Sequence, residues 1–229
     1  IAPKTQFEDA VGKQVDKLLA LTDGESRPEK GIELKPLKPE VSESGVRYRH
    51  VELKIDTAAR TAELTLHGPA AGEPTTADDM LARGDDQWAL RAFRELDDAL
   101  LRLRFHHGEV GFIALRTRGD LAEVQKLDAA LFELKNFWLA HEIALFRARV
   151  LRRLDLSAKS IYALIDQGSC FADSLLELAL AADRVYMLDD EESTVKVAVG
   201  AFNAGSMPMS HGVTRLQARF PAQDAKVRA

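Results

Sequence analysis

Ser174 and Glu177 are the two residues whose types and spacing could do chemistry in this sequence. They follow an apolar run and a turn of small residues, which predicts a helix that begins near Ser174. Free N–H groups at a helix start can hold a developing oxyanion, and a carboxylate one turn later can transfer a proton. The same spacing fits a capping box, in which Glu177 reaches back to the N–H of Ser174. The residues alone leave both interpretations open, and we favour the cap.

The other titratable residues offer weaker candidates. His106 and His107 are adjacent, so they do not share a helix face, and no Cys or carboxylate stands at ligand spacing; no metal site is expected. Cys170 is interpreted as a small buried side chain rather than a reactive thiol. A group of arginines ends a predicted helix and is interpreted as a solvated face, with contact to a ligand phosphate or an acidic partner as the alternative. The group consists of Arg147, Arg149, Arg152 and Arg153.

Strands and helices that alternate along the chain must position these residues. Two alternating runs, at residues 51–55 and 62–66, predict a hairpin. Apolar strands are predicted within 110–120, 159–169, 183–188 and 194–199. Helices are predicted at 86–105, over 121–155 with a break near Lys135–Asn136, after the turn at 168–172, and near 210–220. Strands that are apolar without alternation, interleaved with helices, predict an α/β fold with a partly parallel sheet.

The start of the chain differs in character from the rest. Residues 1–22 predict an amphipathic helix, whose apolar stripe consists of Phe7, Val11, Val15, Leu18 and Leu19. Residues 23–45 are rich in proline, glycine, serine and charge, which predicts a linker. We therefore expect the helix to belong to a preceding module, and a domain over 46–229 that is truncated at its carboxyl end.

Composition limits the class of protein. The chain has 229 residues, 46% of them hydrophobic and 29% charged, which suits one sizeable domain. A net charge of −5 argues against a nucleic-acid partner. No apolar run approaches the roughly 18–20 residues of a membrane helix, so no membrane partner is expected. One cysteine and no recognisable signal peptide suit a cytoplasmic protein. A homo-oligomer is compatible with the sequence.

Two segments carry a resemblance to a known family. "ALIDQGSCFADSLLELALAADRVYML" and "GSMPMSHGVTRL" resemble core segments of the crotonase (enoyl-CoA hydratase/isomerase) superfamily. The resemblance implies the crotonase-like (ClpP/crotonase) layered βα superhelix. Two departures suggest a degenerate copy. The turn glycines of the superfamily are replaced by Ala172, Asp173 and Ser174, and its second acidic residue falls near Ala201.

Within the superfamily, the chain is most similar to the second half of a lyase family built from two crotonase-like halves. That family opens the ring of 2,3-epoxybenzoyl-CoA with water and releases formate. The resemblance implies an acyl-CoA thioester as substrate, no cofactor, and an upstream half against which this chain packs. It also implies that Glu177 is the catalytic carboxylate if it is not only a cap, and that Ser174 and Gly119 are candidates for holding the oxyanion or the acyl-CoA.

Ala201 cannot transfer a proton, so the fragment alone is expected to be inactive. Two alternatives stay open. One is a non-catalytic structural or dimerisation module, and the other is a stand-alone acyl-CoA hydratase or isomerase.

Overall fold

The chain divides into two units, residues Ile1–Gly31 and Ile32–Ala229. A computed structural model of the protein describes residues 2–21, 31–189 and 194–221. In the first unit a 3₁₀ turn at Lys4–Gln6 leads into helix α1 (Phe7–Leu21), which confirms the predicted helix. Its apolar stripe is exposed, with Phe7 55% and Leu19 64% accessible.

The second unit is built on one sheet. Within residues 31–189 seven strands lie side by side in chain order. They are β1 (Glu40–Ser42), β2 (Gly45–Arg47), β3 (Val51–Asp56), β4 (Thr61–His67), β5 (Phe112–Arg118), β6 (Ser160–Ile165) and β7 (Arg184–Met187). Strands β1 to β4 pair antiparallel, and β4 to β7 pair parallel. The predicted hairpin and the partly parallel sheet are confirmed.

Helices connect the parallel strands. The described helices of this unit are α2 (Ala77–Arg83), α3 (Trp88–Phe105), α4 (Leu121–Glu133), α5 (Trp138–Asp155), α6 (Asp173–Ala181) and α7 (Arg215–Arg219). The predicted break of the long helix falls between α4 and α5. The helix predicted near 210–220 shortens to α7, which a capping box of Thr214 and Gln217 starts. Within the described residues, no helix combines the length and apolar character needed to cross a bilayer.

The helices share a core with alternate residues of the strands. Ile113, Leu115 and Thr117 of β5 are buried, whereas Ala114 and Arg116 between them are only partly buried. The same alternation holds in β6. The expectation of strands without alternation is therefore wrong for β5 and β6, although the fold class that it pointed to is confirmed. The physical reason is that the described helices bury one set of side chains and leave the other set partly open.

Residues 31–45 differ from the predicted linker. The backbone N–H of Lys35 donates to the buried carboxylate of Asp85 (2.8 Å), and the Lys35 carbonyl accepts from Arg94 (2.7 Å). Ile32 and Leu37 pack against the core, and residues 40–45 contribute β1 and the start of β2. The charged residues and prolines of this segment predicted a linker. The residues that hold it, Asp85 and Arg94, lie 50 and 59 residues further along the chain, where local composition does not reveal them. Residues 23–30 of the predicted linker lie outside the described residues.

The strand predicted at 194–199 is wrong. Among the described residues, its β-type pairing is limited to an isolated parallel bridge between Ala198 and Ala172. The N–H of Ala198 donates to the Phe171 carbonyl, and the N–H of Asp173 donates to the Ala198 carbonyl (both 3.1 Å). The segment is thus hydrogen-bonded to the start of α6, packs on the core through Val195 and Ala198, and does not extend the sheet.

Candidate functional site

Helix α6 carries the predicted site residues directly after β6. Its N-cap is Ala172, whose side chain makes no capping bond, and its first residue is Asp173 with a φ of +42°. The helix is buried from Asp173 to Ala179. Ser174 and Glu177 therefore lie inside the core and within the helix, rather than at its cap.

Glu177 does not cap the helix, so the capping-box prediction is wrong. The helix begins one residue before Ser174, which removes Ser174 from the N-cap position. The Glu177 carboxylate instead accepts from Asn203 Nδ2 (2.6 Å at Oε1) and from Arg215 (2.8 Å at Oε2). Its partners therefore come from the segment after 200, which the local sequence of α6 does not reveal.

Arg215 joins Glu177 to a second carboxylate. The guanidinium donates twice to Asp155 at the end of α5 (2.9 and 2.6 Å) and once to the Met207 carbonyl (3.0 Å). Burial raises the pKa of Glu177, while the hydrogen bonds from Asn203 and Arg215 lower it; the net direction is upward. Glu177 is 1% exposed. Because both of its oxygens have partners inside the protein, the arrangement suits an ion-pair network better than proton exchange with a substrate.

Ser174 belongs to a second buried network. Its N–H donates to Asp128 Oδ2 (2.9 Å), and its hydroxyl accepts from the Arg147 guanidinium. Arg147 also donates to Asp128 Oδ1 (2.9 Å), and its guanidinium lies 4.5 Å from the ring centroid of Phe93. The Ser174 N–H, proposed from the resemblance as an oxyanion donor, thus already has an acceptor in α4.

The solvated-face interpretation is wrong for Arg147. This side chain is fully buried, whereas Arg149 is exposed. The spacing could have revealed the difference, since Arg147 lies four residues from both Ile143 and Leu151 on the buried stripe of α5. A charged residue in phase with an apolar stripe predicts a buried partner, here Asp128.

Gly119 lies in the turn after β5. Its N–H donates to the Gly168 carbonyl (3.0 Å), so this candidate oxyanion donor also has an internal acceptor. A Cβ at this position, where φ is +153°, would lie 3.2 Å from the backbone of Gly68, which explains the glycine by close packing. In the described part of the chain, no hydrogen bond joins Gly119 to Ser174 or Glu177. The oxyanion role of Gly119 and Ser174 stays a prediction.

Cys170 has the small buried side chain that the sequence predicts. It is fully buried, and burial raises the pKa of its thiol. Its N–H donates to the Thr117 hydroxyl (2.9 Å), which ties the turn before α6 to β5. A thiol held in its neutral form by burial is a weak nucleophile.

Asp173 is the carboxyl that sequence reasoning missed. It is 5% exposed, and burial, together with the nearby Asp128 carboxylate, raises its pKa from 3.8 to about 6. A hydrogen bond from the Phe202 N–H and the charge of Arg147 act in the opposite direction. Among the described residues, none forms an ion pair with it. The signal was present in the resemblance, because Asp173 stands where the superfamily has a turn glycine.

A third polar cluster lies at the carboxyl ends of β5 and β6. Arg118 donates to Asp166 (2.6 and 3.1 Å) and Arg116 donates to the same carboxylate (2.5 Å). Burial raises the pKa of Asp166, but hydrogen bonds from Arg118 and Ser169 outweigh it, and the net direction is downward. In α/β sheets this edge is the usual place for ligands. The two arginines could present positive charge to an anionic group there.

Comparison with known proteins gives one relative over the whole chain. The 229 residues are 42% identical to part of benzoyl-CoA-dihydrodiol lyase from Aromatoleum evansii, and they span 41% of that protein. No protein-family model matches the chain. Among solved structures, an enoyl-CoA hydratase from Geobacillus kaustophilus HTA426 is similar at a TM-score of 0.40 and 15% identity, over 62% of this chain and 47% of the other. At that TM-score the structural likeness carries no argument.

The resemblance stated from the sequence motifs is therefore confirmed at the level of sequence. The chain is similar along its full length to a portion of a lyase, and that portion is less than half of the relative.

Proposed function

We propose that the chain is one crotonase-like half, the second, of a lyase that opens the ring of 2,3-epoxybenzoyl-CoA with water and releases formate in aerobic benzoate degradation in the cytoplasm. The observation that carries the proposal is the 42% identity to benzoyl-CoA-dihydrodiol lyase over all 229 residues. An identity of this size over the whole chain supports a shared role for the matching portion. The substrate is an acyl-CoA thioester, and no cofactor takes part.

This half supports catalysis and does not perform it. Both Glu177 oxygens are occupied by Asn203 and Arg215, and the N–H groups of Ser174 and Gly119 have acceptors within the chain. Ala201, at the second acid position, offers no group that could exchange a proton. The catalytic carboxylates then come from the remainder of the longer protein, and the buried networks hold this half rigid beside them.

The open face of the sheet supports an adjoining half. Parallel strands are normally covered on both faces, yet Phe112, Tyr162 and Tyr186 form an aromatic row across β5, β6 and β7 on the partly exposed face. Their ring centroids are 4.9 and 5.6 Å apart. The relative has more than half of its length beyond the match, and a segment of that kind would cover this row. The occupant in this proposal is the upstream half of the same polypeptide.

The experiment compares this chain with the longer protein that contains it. Each is incubated with 2,3-epoxybenzoyl-CoA, and ring-opened CoA ester and formate are measured by mass spectrometry. We expect turnover by the longer protein and none by the 229-residue chain. Robust turnover of crotonyl-CoA by the chain alone would favour a stand-alone hydratase or isomerase, and ring opening by the chain alone would show that this half is itself catalytic. Absence of turnover by the folded longer protein would refute the lyase.

Glu177→Gln in the longer protein separates support from proton transfer. The amide can satisfy one of the two donors but leaves the other facing an NH₂ group, so we expect a loss of roughly 1–3 kcal/mol of stability. The folded fraction should turn over within about threefold of the parent. A hundredfold fall in kcat with unchanged folding would make Glu177 a proton donor or acceptor and would overturn the supporting role.

The second candidate is a non-catalytic structural or dimerisation module. It is favoured by the internal partners of Glu177, Ser174 and Gly119 described above. A half in which Glu177 and the N–H groups of Ser174 and Gly119 already have partners within the chain could serve any two-half protein. It is distinguished by the longer protein, which would then fold and associate without turning over a CoA thioester.

A further inference from the structure

A pocket lies at the opposite end of the parallel strands from α6. Its volume is about 380 Å³, at the lower end of the range of roughly 300–1,000 Å³ typical of small-molecule sites. It is bounded by the amino ends of β5 and β6 and by the carboxyl ends of α3 and α5. Nothing in the function proposed above uses this end of the sheet.

The wall of the pocket is cationic over an apolar floor. Its basic residues are Arg60, Arg104, Arg153 and Lys159, and no acidic residue is among those that line it in the described part of the chain. Leu103, Val110 and Ile113 form a buried apolar floor. Such a surface suits a ligand with one anionic group and an apolar body.

Two of the four cations are already engaged. Arg153 pairs with Asp97, and Lys159 Nζ donates to the carbonyls of His107 (2.8 Å) and Val110 (2.6 Å). These contacts explain both side chains without a ligand. They also fix the floor, because Lys159 ties the loop before β5 to the start of β6.

Arg60 and Arg104 keep donors to spare. Arg60 donates from Nε to the Glu109 carbonyl (2.9 Å), and its own carbonyl accepts from the Gly111 N–H (3.0 Å). Arg60 has a φ of +57°, a left-handed backbone conformation that is uncommon for residues other than glycine. Arg104 has one long contact, 3.5 Å to the Leu156 carbonyl. In the described residues, the terminal nitrogens of Arg60 have no partner in the protein.

Helix dipoles are the competing explanation for these cations. The carboxyl ends of α3 and α5 carry partial negative charge, which favours basic residues in the last turn. That accounts for Arg104 and Arg153. It does not account for Arg60, which lies in the β3–β4 turn, nor for a cavity with an apolar floor between the helix ends.

We propose that this pocket binds a small amphipathic anion. Arg60 and Arg104 hold its carboxylate or phosphate, and Leu103, Val110 and Ile113 contact its apolar body. Guanidinium groups bind both carboxylate and phosphate in a forked geometry. The pocket therefore indicates an anionic ligand with an apolar body, and either head group fits it.

Calorimetric titration of the 229-residue chain tests the proposal with four probes at fixed ionic strength. Hexanoate and hexyl phosphate carry both features, hexanamide lacks the charge, and inorganic phosphate lacks the apolar body. We expect saturable binding of hexanoate or hexyl phosphate, at least tenfold tighter than hexanamide or inorganic phosphate and weaker at high salt. Whichever of the two anions binds more tightly identifies the head group.

Variants locate the binding. Arg104→Gln and Arg60→Gln should each weaken the better probe at least fivefold, while Arg149→Gln, an exposed arginine of α5 outside the pocket, should not. Circular dichroism melting shows that each variant is folded, and amide shifts at Val110 and Gly111 report the site directly. The proposal is overturned if neither amphipathic anion binds the folded chain, if hexanamide or inorganic phosphate binds equally well, or if the Arg104 and Arg60 variants bind like the parent.

Discussion

Asp173 is the buried carboxyl of α6 that should control how stability depends on pH. Its pKa is about 6 in the folded protein and 3.8 in the usual reference state, so the folded protein holds this proton more tightly. Its ionised form therefore destabilises the fold above pH 6, by roughly 2–3 kcal/mol. That destabilisation should shrink as the pH falls through 6 and vanish below about 4.

Asp173→Asn should remove this pH dependence. The amide oxygen can still accept from the Phe202 N–H, and asparagine tolerates the positive φ of this position. We expect the variant to be more stable than the parent by about 1–2 kcal/mol at pH 8 and nearly equal to it at pH 4. Urea unfolding between pH 4 and 8 measures the difference, with Glu133→Gln on the surface as control. A variant that is less stable at every pH would contradict a destabilising carboxylate.

The residues of the candidate site could be predicted only in part. Cys170 was predictable because a lone small thiol with no basic residue near it in the sequence is usually buried and unreactive. The burial of Arg147 was predictable from its place on the apolar stripe of α5, but the partners of Arg147 and Glu177 were not, because Arg215 is 38 residues from Glu177 and Asp128 is 19 from Arg147. Local spacing contains no information about such distant pairs, and it therefore favours local interpretations such as a helix cap or a solvated face.

The 3₁₀ turn at Ala201–Ala204 docks on α6 through Gly200. A Cβ at residue 200 would lie 1.7 Å from Asp173 Oδ1, and the Asn203 side chain donates to the Asp173 carbonyl (2.9 Å). Gly200→Ala must therefore displace either the carboxyl or the turn, at a cost of about 1–3 kcal/mol. Urea unfolding of the variant measures it.

A double-mutant cycle assigns that cost to one contact. In an Asp173→Gly background, where glycine tolerates the positive φ, Gly200→Ala should cost less than about 0.5 kcal/mol. Gly108→Ala has no atom within 4 Å of its added Cβ and serves as the steric control. Equal costs of Gly200→Ala in both backgrounds would show that the turn does not dock through Asp173.

At the level of elements, periodicity predicted the structures with strong local signals. The hairpin of β3 and β4, strands β5 to β7 and the break before α5 follow from apolar spacing and turn residues. The segment at 194–199 has the composition of a strand, but its hydrogen bonds go to the start of α6. Strand propensity indicates only that a side chain fits a sheet. Whether a neighbouring strand is available to pair depends on the tertiary structure.

For the molecule as a whole, the sequence predicted an α/β class and a half of a longer enzyme, for different reasons. The class follows from the order of strands and helices, whereas the relation to a lyase follows from motifs between Ala163 and Leu216 that no physical rule supplies. The start of the second unit could not be predicted, because Lys35 is held by Asp85 and Arg94, which lie 50 and 59 residues further along the chain.

Helix α1 provides a test of the two-half organisation. Its stripe from Phe7 to Leu19 is exposed, and an isolated helix of 15 residues is only marginally stable in water. Hydrogen exchange of the amides of residues 7–21 should therefore be fast in the 229-residue chain. In a longer protein that includes an upstream half, the stripe would be buried and exchange should slow by at least a hundredfold.

The amides of β5 serve as the internal reference in both proteins, since Ile113 and Leu115 are buried and should exchange slowly in each. A change confined to residues 7–21 assigns the helix to the upstream half. Strong protection of these amides in the 229-residue chain would instead mean that α1 is stabilised within it, and the expectation that the helix belongs to a preceding module would be wrong.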